Sequence, residues 1–141
     1  GPVWPGNPWT AHYLDDSDME SERTAGWLSG SCLLLRREAF DALGGFDERY
    51  FMYLEDVDLG DRLGRAGWQS VYVPSSVIHH DQGHAARTVP EFTLRAHHNS
   101  AYLFQADRHP AAWQAPIRWA LRAGLELRCR LAIRSARRDL R

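Results

Sequence analysis

The chain of 141 residues contains no lysine, so each of its seventeen fixed positive charges is an arginine. Cysteine is nearly as scarce. Cys32 and Cys129 are the only two and sit in unrelated surroundings, which excludes a disulfide framework or a zinc site built from thiolates. A reducing, cytosolic setting is the expectation that follows. Long hydrophobic runs are also missing: the apolar stretches last only a few residues, too short for a helix that crosses a bilayer. The opening Gly1-Pro2-Val3-Trp4-Pro5-Gly6 has neither a basic start nor an apolar centre, so no signal peptide is expected. Apolar and charged residues make up 44% and 25% of the chain, proportions that exclude a wholly disordered one. The length bounds the answer to one domain with a modest core.

What is present is unevenly spread. From Trp113 onward eight arginines stand against only Glu126 and Asp139, a net of +6, whereas the preceding residues carry nine arginines and sixteen acids, a net of −7. A mainly acidic globular part therefore carries a basic tail.

Periodicity and turn chemistry predict a mixed α/β chain. Residues 1–26, rich in Pro, Gly, Asp, Ser and Glu, read as an irregular connecting segment. The apolar run Ser31–Leu35 suits a buried strand. A short helix is expected over Arg37–Leu43, closed by Gly44-Gly45, and a second from Glu55 to Ala66 with Gly67 as its stop. Gln69–Val73 alternates like a strand ending at Pro74, and Ser76–His80 reads as another extended segment. Two longer helices follow, about Pro90–Gln105 and Trp113–Asp139, with Pro110 between them.

Three groups of residues carry possible chemistry. Glu55 and Asp56 fall in the first turn of a predicted helix, where free N–H groups and the macrodipole favour an anion, as a general base requires. Acids in a first turn are also ordinary capping chemistry, and the run Glu55, Asp56, Asp58, Asp61 doubles as a solvated face. Arg62 is placed to pair with one of those acids. His79, His80 and His84, with Asp81 among them, could hold a transition metal, but no helical His-x-x-x-His with a glutamate exists to make a hydrolytic zinc site. Gly30, just before the apolar run, allows a ligand close to the backbone, and Trp27 either stacks on a sugar face or fills the core.

The order of these elements resembles family 2 inverting glycosyltransferases of the GT-A fold. The resemblance rests on Trp27-Leu28-Ser29-Gly30-Ser31, Gly44-Gly45-Phe46-Asp47-Glu48, the aromatic turn Tyr50-Phe51-Met52-Tyr53, Glu55-Asp56-Val57-Asp58-Leu59 and Ala66-Gly67-Trp68. It runs without a gap from Trp27 to about Gly83. It implies that residues 27–110 are the acceptor-side, C-terminal half of such a domain, with residues 111–141 as a trailing basic helix. Asp56 would be the catalytic base and Glu55 its neighbour that positions the acceptor. Trp27, Gly30 and Ser31 would line the acceptor site, and His80 would complete a magnesium or manganese site begun by an upstream Asp-x-Asp. Asp16-Ser17-Asp18 matches that pattern by letters only, with no apolar strand before it. The nucleotide-binding half is therefore expected in a longer enzyme or in a partner polypeptide.

Within the family, Pro8-Trp9-Thr10, Tyr13-Leu14, Gly26-Trp27-Leu28-Ser29-Gly30 and Gly83-His84 are similar to bacterial rhamnosyltransferases acting on N-acetylglucosaminyl-diphospho-polyprenol. That likeness implies a nucleotide-sugar donor, dTDP-rhamnose, a lipid-linked glycan acceptor, and work at the cytoplasmic face of the cell membrane. The basic tail either packs on the domain or contacts anionic lipid. Nucleic acid is not an expected partner, because the acidic remainder repels phosphate. The competing class is an inactive remnant or a membrane-binding module that lacks the donor site.

Overall fold

Glycine ends the first two helices where the sequence places it. In the computed structural model, which describes residues 20–80 and 90–139, helix α1 spans Arg37–Ala42 and α2 spans Glu55–Arg65. Gly44 and Gly45 follow α1 with φ of 74° and 79°, and Gly67 follows α2 with φ of 85°, a region costly for residues with a Cβ. The reversals let Gly45 N–H donate to the Phe40 carbonyl and Trp68 N–H to that of Leu63, both at 3.0 Å, which satisfies carbonyls the helix ends leave open.

Strand β1, Arg23–Ala25, lies inside the segment expected to be irregular. It pairs antiparallel with β2, Ser70–Tyr72, in the register Arg23–Tyr72, Thr24–Val71 and Ala25–Ser70. The pairing spans 45 residues of sequence, so no local pattern announces it. Ser31–Leu35, expected as a buried strand, is instead a turn and an irregular stretch in which Leu34 is 101% exposed. Ser76–His80 is likewise neither helix nor strand and is exposed. A strand needs a ladder partner for its N–H and C=O groups, and the only described sheet has two strands, β1 and β2.

Helix α3 runs from Pro90 to Asp107 and α4 from Ala115 to Asp139, after a 3-10 turn over Ala112–Gln114. The two pack along each other, with Thr93, Ser100, Cys129 and Ile133 buried. Arg118 secures the corner by donating to the His109 and Ala111 carbonyls at 2.6 and 2.9 Å. A separate small core joins Ala39 of α1 to Leu59 and Leu63 of α2, with Leu35, Phe40 and Leu43 against it.

Ion pairs connect these parts. Arg108 at the end of α3 reaches Asp61 of α2 at 2.9 Å. Arg49 bridges Asp47 and Asp107, and Asp47 also accepts the Arg49 backbone N–H at 3.0 Å, the loop-holding role its turn position suggests. That guanidinium holds the Asp47 carboxyl below its ordinary range.

Gly60 decides how tightly the chain before α1 crosses α2. A Cβ there would stand 2.7 Å from the Trp27 Cβ and 2.9 Å from the Gly26 carbonyl oxygen, whereas one at Gly64 would meet nothing within 4 Å. Gly60→Ala is therefore expected to destabilise the fold by about 1–3 kcal/mol. Gly64→Ala in the same helix is expected to stabilise it by about 0.5–1 kcal/mol. Urea unfolding followed by far-UV circular dichroism measures both.

Candidate active site

The run of four acids divides by pairing. Asp58 is buried and binds Arg62 at 2.7 Å; that arginine also donates to the Leu43 and Gly45 carbonyls, at 3.2 and 2.9 Å. Asp61 binds Arg65 at 3.0 Å and Arg108 at 2.9 Å. These two acids hold the helix in place, and Arg62 pairs with a helix acid as its spacing predicts. Glu55 and Asp56 form no ion pair among the described residues.

Asp56 is oriented by backbone instead. Its Oδ2 accepts the Gly30 N–H at 2.8 Å and its Oδ1 accepts the Val57 N–H at 2.8 Å. Both donors are neutral, so the carboxylate is aimed without its charge being cancelled by a cation. Gly30 bears on access as well as on the hydrogen bond. A Cβ at that position would lie 3.6 Å from both the Asp56 Cβ and Oδ2, against the carboxylate that its absence leaves open.

The surroundings form a cavity of about 630 Å³ bordered by Ser29, Ser31, Leu34, Asp56, Gly60 and Trp68. Asp56, Gly30 and Ser31 thus come together. Trp27 is half-buried, with its backbone against Gly60 of α2. The Oε2 atom of Glu55 is buried with no hydrogen-bond partner among the described residues, an arrangement costly unless something else supplies a donor.

The turn into α2 carries backbone strain. Tyr53 and Leu54 have φ of 67° and 63°, consecutive left-handed residues without glycine, each costing roughly 1–3 kcal/mol and persisting only where neighbours enforce it. Helix α3 supplies the enforcement. Ser100, 1% exposed, donates its hydroxyl to the Met52 carbonyl at 2.8 Å. Phe92 meets Phe51 edge-on at 5.4 Å, and His97 meets Tyr53 at 5.4 Å. Burial, with His98 and Arg128 nearby, pushes the His97 ring below its ordinary pKa. Tyr50 starts the same turn: burial, with Asp58 and Asp107 near, raises its hydroxyl to about 12. Sequence reasoning missed Ser100 and His97, because a serine or histidine in a helix carries no sign of which distant turn it touches. Gly60 left a weak signal, since a glycine inside a helical pattern often marks close packing.

His80 does not join this group. It is exposed and makes no hydrogen bond or ion pair with another described residue. Among the described residues no three His, Cys, Asp or Glu side chains gather as a metal group; the expected magnesium or manganese site takes its other ligands from the Asp-x-Asp that the resemblance places upstream. The other histidine and acids weighed for a metal, His84, Asp81 and Asp16-Ser17-Asp18, lie outside the described residues.

Comparison with known proteins shows the family. The family described as glycosyl transferase family group 2 matches residues 9–129. The chain belongs to that family. It is 59% identical over all of its 141 residues to the N-acetylglucosaminyl-diphospho-decaprenol L-rhamnosyltransferase of Mycobacterium tuberculosis, covering 46% of that relative. It is 37% identical over 95 residues, 67% of the chain, to the rhamnosyltransferase WbbL of Escherichia coli, covering 36% of it. The O-antigen biosynthesis protein RfbC of Myxococcus xanthus is 43% identical over 75 residues, half of this chain and 6% of that protein. The glycosyltransferase chain thus spans less than half the length of each of these relatives. No solved structure matches it.

Two outcomes follow from the clamp on the strained turn. Ser100→Ala strips the Met52 carbonyl of its donor and is expected to cost about 1–3 kcal/mol, with faster amide exchange at Tyr53 and Leu54 by hydrogen-exchange mass spectrometry. Because the folded His97 pKa is depressed, the unfolded chain takes up its proton first as pH falls below about 6.5. Stability is therefore full above that pH and declines beneath it, and His97→Gln is expected to flatten the decline in a pH series of urea unfolding.

Proposed function

We propose that this chain is the acceptor-side half of an inverting glycosyltransferase in which Asp56 is the general base. The observation that carries the reading is the orientation of Asp56. Backbone N–H groups hold both its oxygens, no cation among the described residues neutralises it, and it borders an open cavity beside a glycine. An acceptor hydroxyl in that cavity gives its proton to Asp56 as its oxygen attacks the anomeric carbon of the donor. The bond from that carbon to the diphosphate oxygen breaks, the nucleoside diphosphate leaves from the opposite face, and the anomeric centre inverts. The unpartnered Glu55 Oε2 accepts a hydrogen bond from a second acceptor hydroxyl and fixes the sugar's orientation. Gly30 keeps the approach clear, and Ser31 and Trp27 border the acceptor.

The names of two relatives support rhamnose as the sugar transferred, and one of them names an N-acetylglucosaminyl-diphospho-decaprenol acceptor. On that basis the donor is dTDP-rhamnose, the acceptor is a polyprenyl-diphosphate-linked N-acetylglucosamine, and the reaction takes place at the cytoplasmic face of the membrane. Donor contacts belong to a part of the relatives' length that this chain does not span, in the same polypeptide or in a partner. No step is assigned to a metal.

Rhamnosyl transfer by the chain joined to its donor half, with a synthetic polyprenyl-diphosphate N-acetylglucosamine as acceptor, tests the assignment. Asp56→Asn is expected to lower kcat by about 10²–10⁴, with the acceptor KM little changed. Glu55→Gln is expected to act chiefly on the acceptor KM. Transfer that survives Asp56→Asn would remove Asp56 as the base, and an inert wild-type assembly would favour the inactive remnant.

A further inference from the structure

Helix α4 has two apolar faces. Leu121, Leu125, Cys129, Ile133 and Ala136 form the one turned towards α3, all buried or half-buried. Ile117, Ala120, Gly124, Leu127 and Leu131 form the other, at alternating steps of three and four residues that keep them in line along the helix, and Trp113 stands just before it in the 3-10 turn. This second stripe is open: Ile117 is 40% exposed, Leu127 60% and Leu131 54%, a Cβ on Gly124 would meet nothing within 4 Å, and Trp113 before the helix is 76% exposed. Trp119, at its border, is 78% exposed. The apolar residues of the tail do not fit one stripe because they serve two surfaces.

The charges around the open stripe are of one sign. Arg134 and Arg138 continue its spacing and Arg128 flanks it. None of the three forms an ion pair among the described residues. The other arginines of α4 with assigned contacts are engaged: Arg118 on carbonyls, Arg122 over the Tyr102 ring, Arg130 on Glu126 and Arg137 on Glu91. A second copy of this stripe running parallel to the first would set arginine against arginine, which disfavours such a helix–helix seam. A planar anionic surface that takes up leucine and tryptophan side chains and neutralises guanidinium groups fits both features.

We infer that the outward face of α4 docks on an anionic lipid bilayer, with Leu127, Leu131 and Trp113 in the acyl boundary and Arg128, Arg134 and Arg138 on lipid phosphates. Among the described residues no helix is long and apolar enough to cross a membrane, and the contact is interfacial. It stands independently of Asp56 as the base.

Vesicle flotation of the whole chain tests it, with phosphatidylcholine vesicles and with the same vesicles containing phosphatidylglycerol. Binding is expected to be at least about tenfold stronger on the anionic vesicles and to weaken with added salt. Leu127→Glu with Leu131→Glu is expected to abolish it, and Arg128→Gln with Arg134→Gln and Arg138→Gln to reduce it to the level of the neutral vesicles. All five positions are exposed, and circular dichroism checks that the fold is retained. Absence of binding to the anionic vesicles would overturn the inference, as would binding that the double leucine variant leaves intact. A concentration-dependent dimer in sedimentation velocity, lost in that double variant and accompanied by no vesicle binding, would reassign the stripe to a second protein copy.

Discussion

The approach of the Trp27 backbone to Gly60 is the contact on which the site depends. Only a glycine leaves room for the chain at Gly26 and Trp27 to cross helix α2 at that distance. Once it crosses there, the next few residues bring the Gly30 N–H to Asp56. A side chain at residue 60 would lift the crossing segment and lengthen that hydrogen bond. The carboxylate would then be left to one neighbouring amide, free to turn away from the cavity. Packing in the helix and orientation of the candidate base are thus one arrangement.

A second constraint acts from the other side. The left-handed pair Tyr53-Leu54 sets the direction in which α2 starts, and therefore where its first turn points Glu55 and Asp56. Such a backbone has no local reason to persist without glycine. It is held by Ser100, Phe92 and His97, all on a helix some forty to fifty residues further on. The α3–α4 pair accordingly does more than pack on itself: it fixes the entry to helix α2 while presenting its outer stripe to the surroundings. A helix pair in which α3 braces the strained turn and α4 carries an arginine-bordered apolar stripe is compatible with similarity to a relative named for a lipid-linked acceptor.

Much of the helical structure was legible because its signals are local. Gly44-Gly45 and Gly67 end helices through backbone angles that glycine adopts freely, and Arg62 finds Asp58 one turn away on the same helix. The strand expected at Ser31–Leu35 shows the limit of such reading. An apolar run favours extended chain, but extended chain becomes a strand only when another segment takes up its hydrogen bonds, and Leu34 instead lies fully open. The pairing of Arg23–Ala25 with Ser70–Tyr72 marks the same limit from the other direction, a strand formed where composition indicates a loop.

The sequence by itself determined that Glu55 and Asp56 occupy a helix's first turn, which helices form and where they stop, and that basic charge gathers after Trp113. Those outcomes depend on residues within a turn or two of each other, so short-range sterics and hydrogen bonding suffice. Only the tertiary structure decided which acids of the run are paired and which is aimed at the cavity. It also decided that Gly30 supplies the aiming N–H, that α3 holds the strained turn, and which apolar face of α4 stays open. Each of those choices joins residues far apart in the chain, where the outcome is set by which surfaces meet.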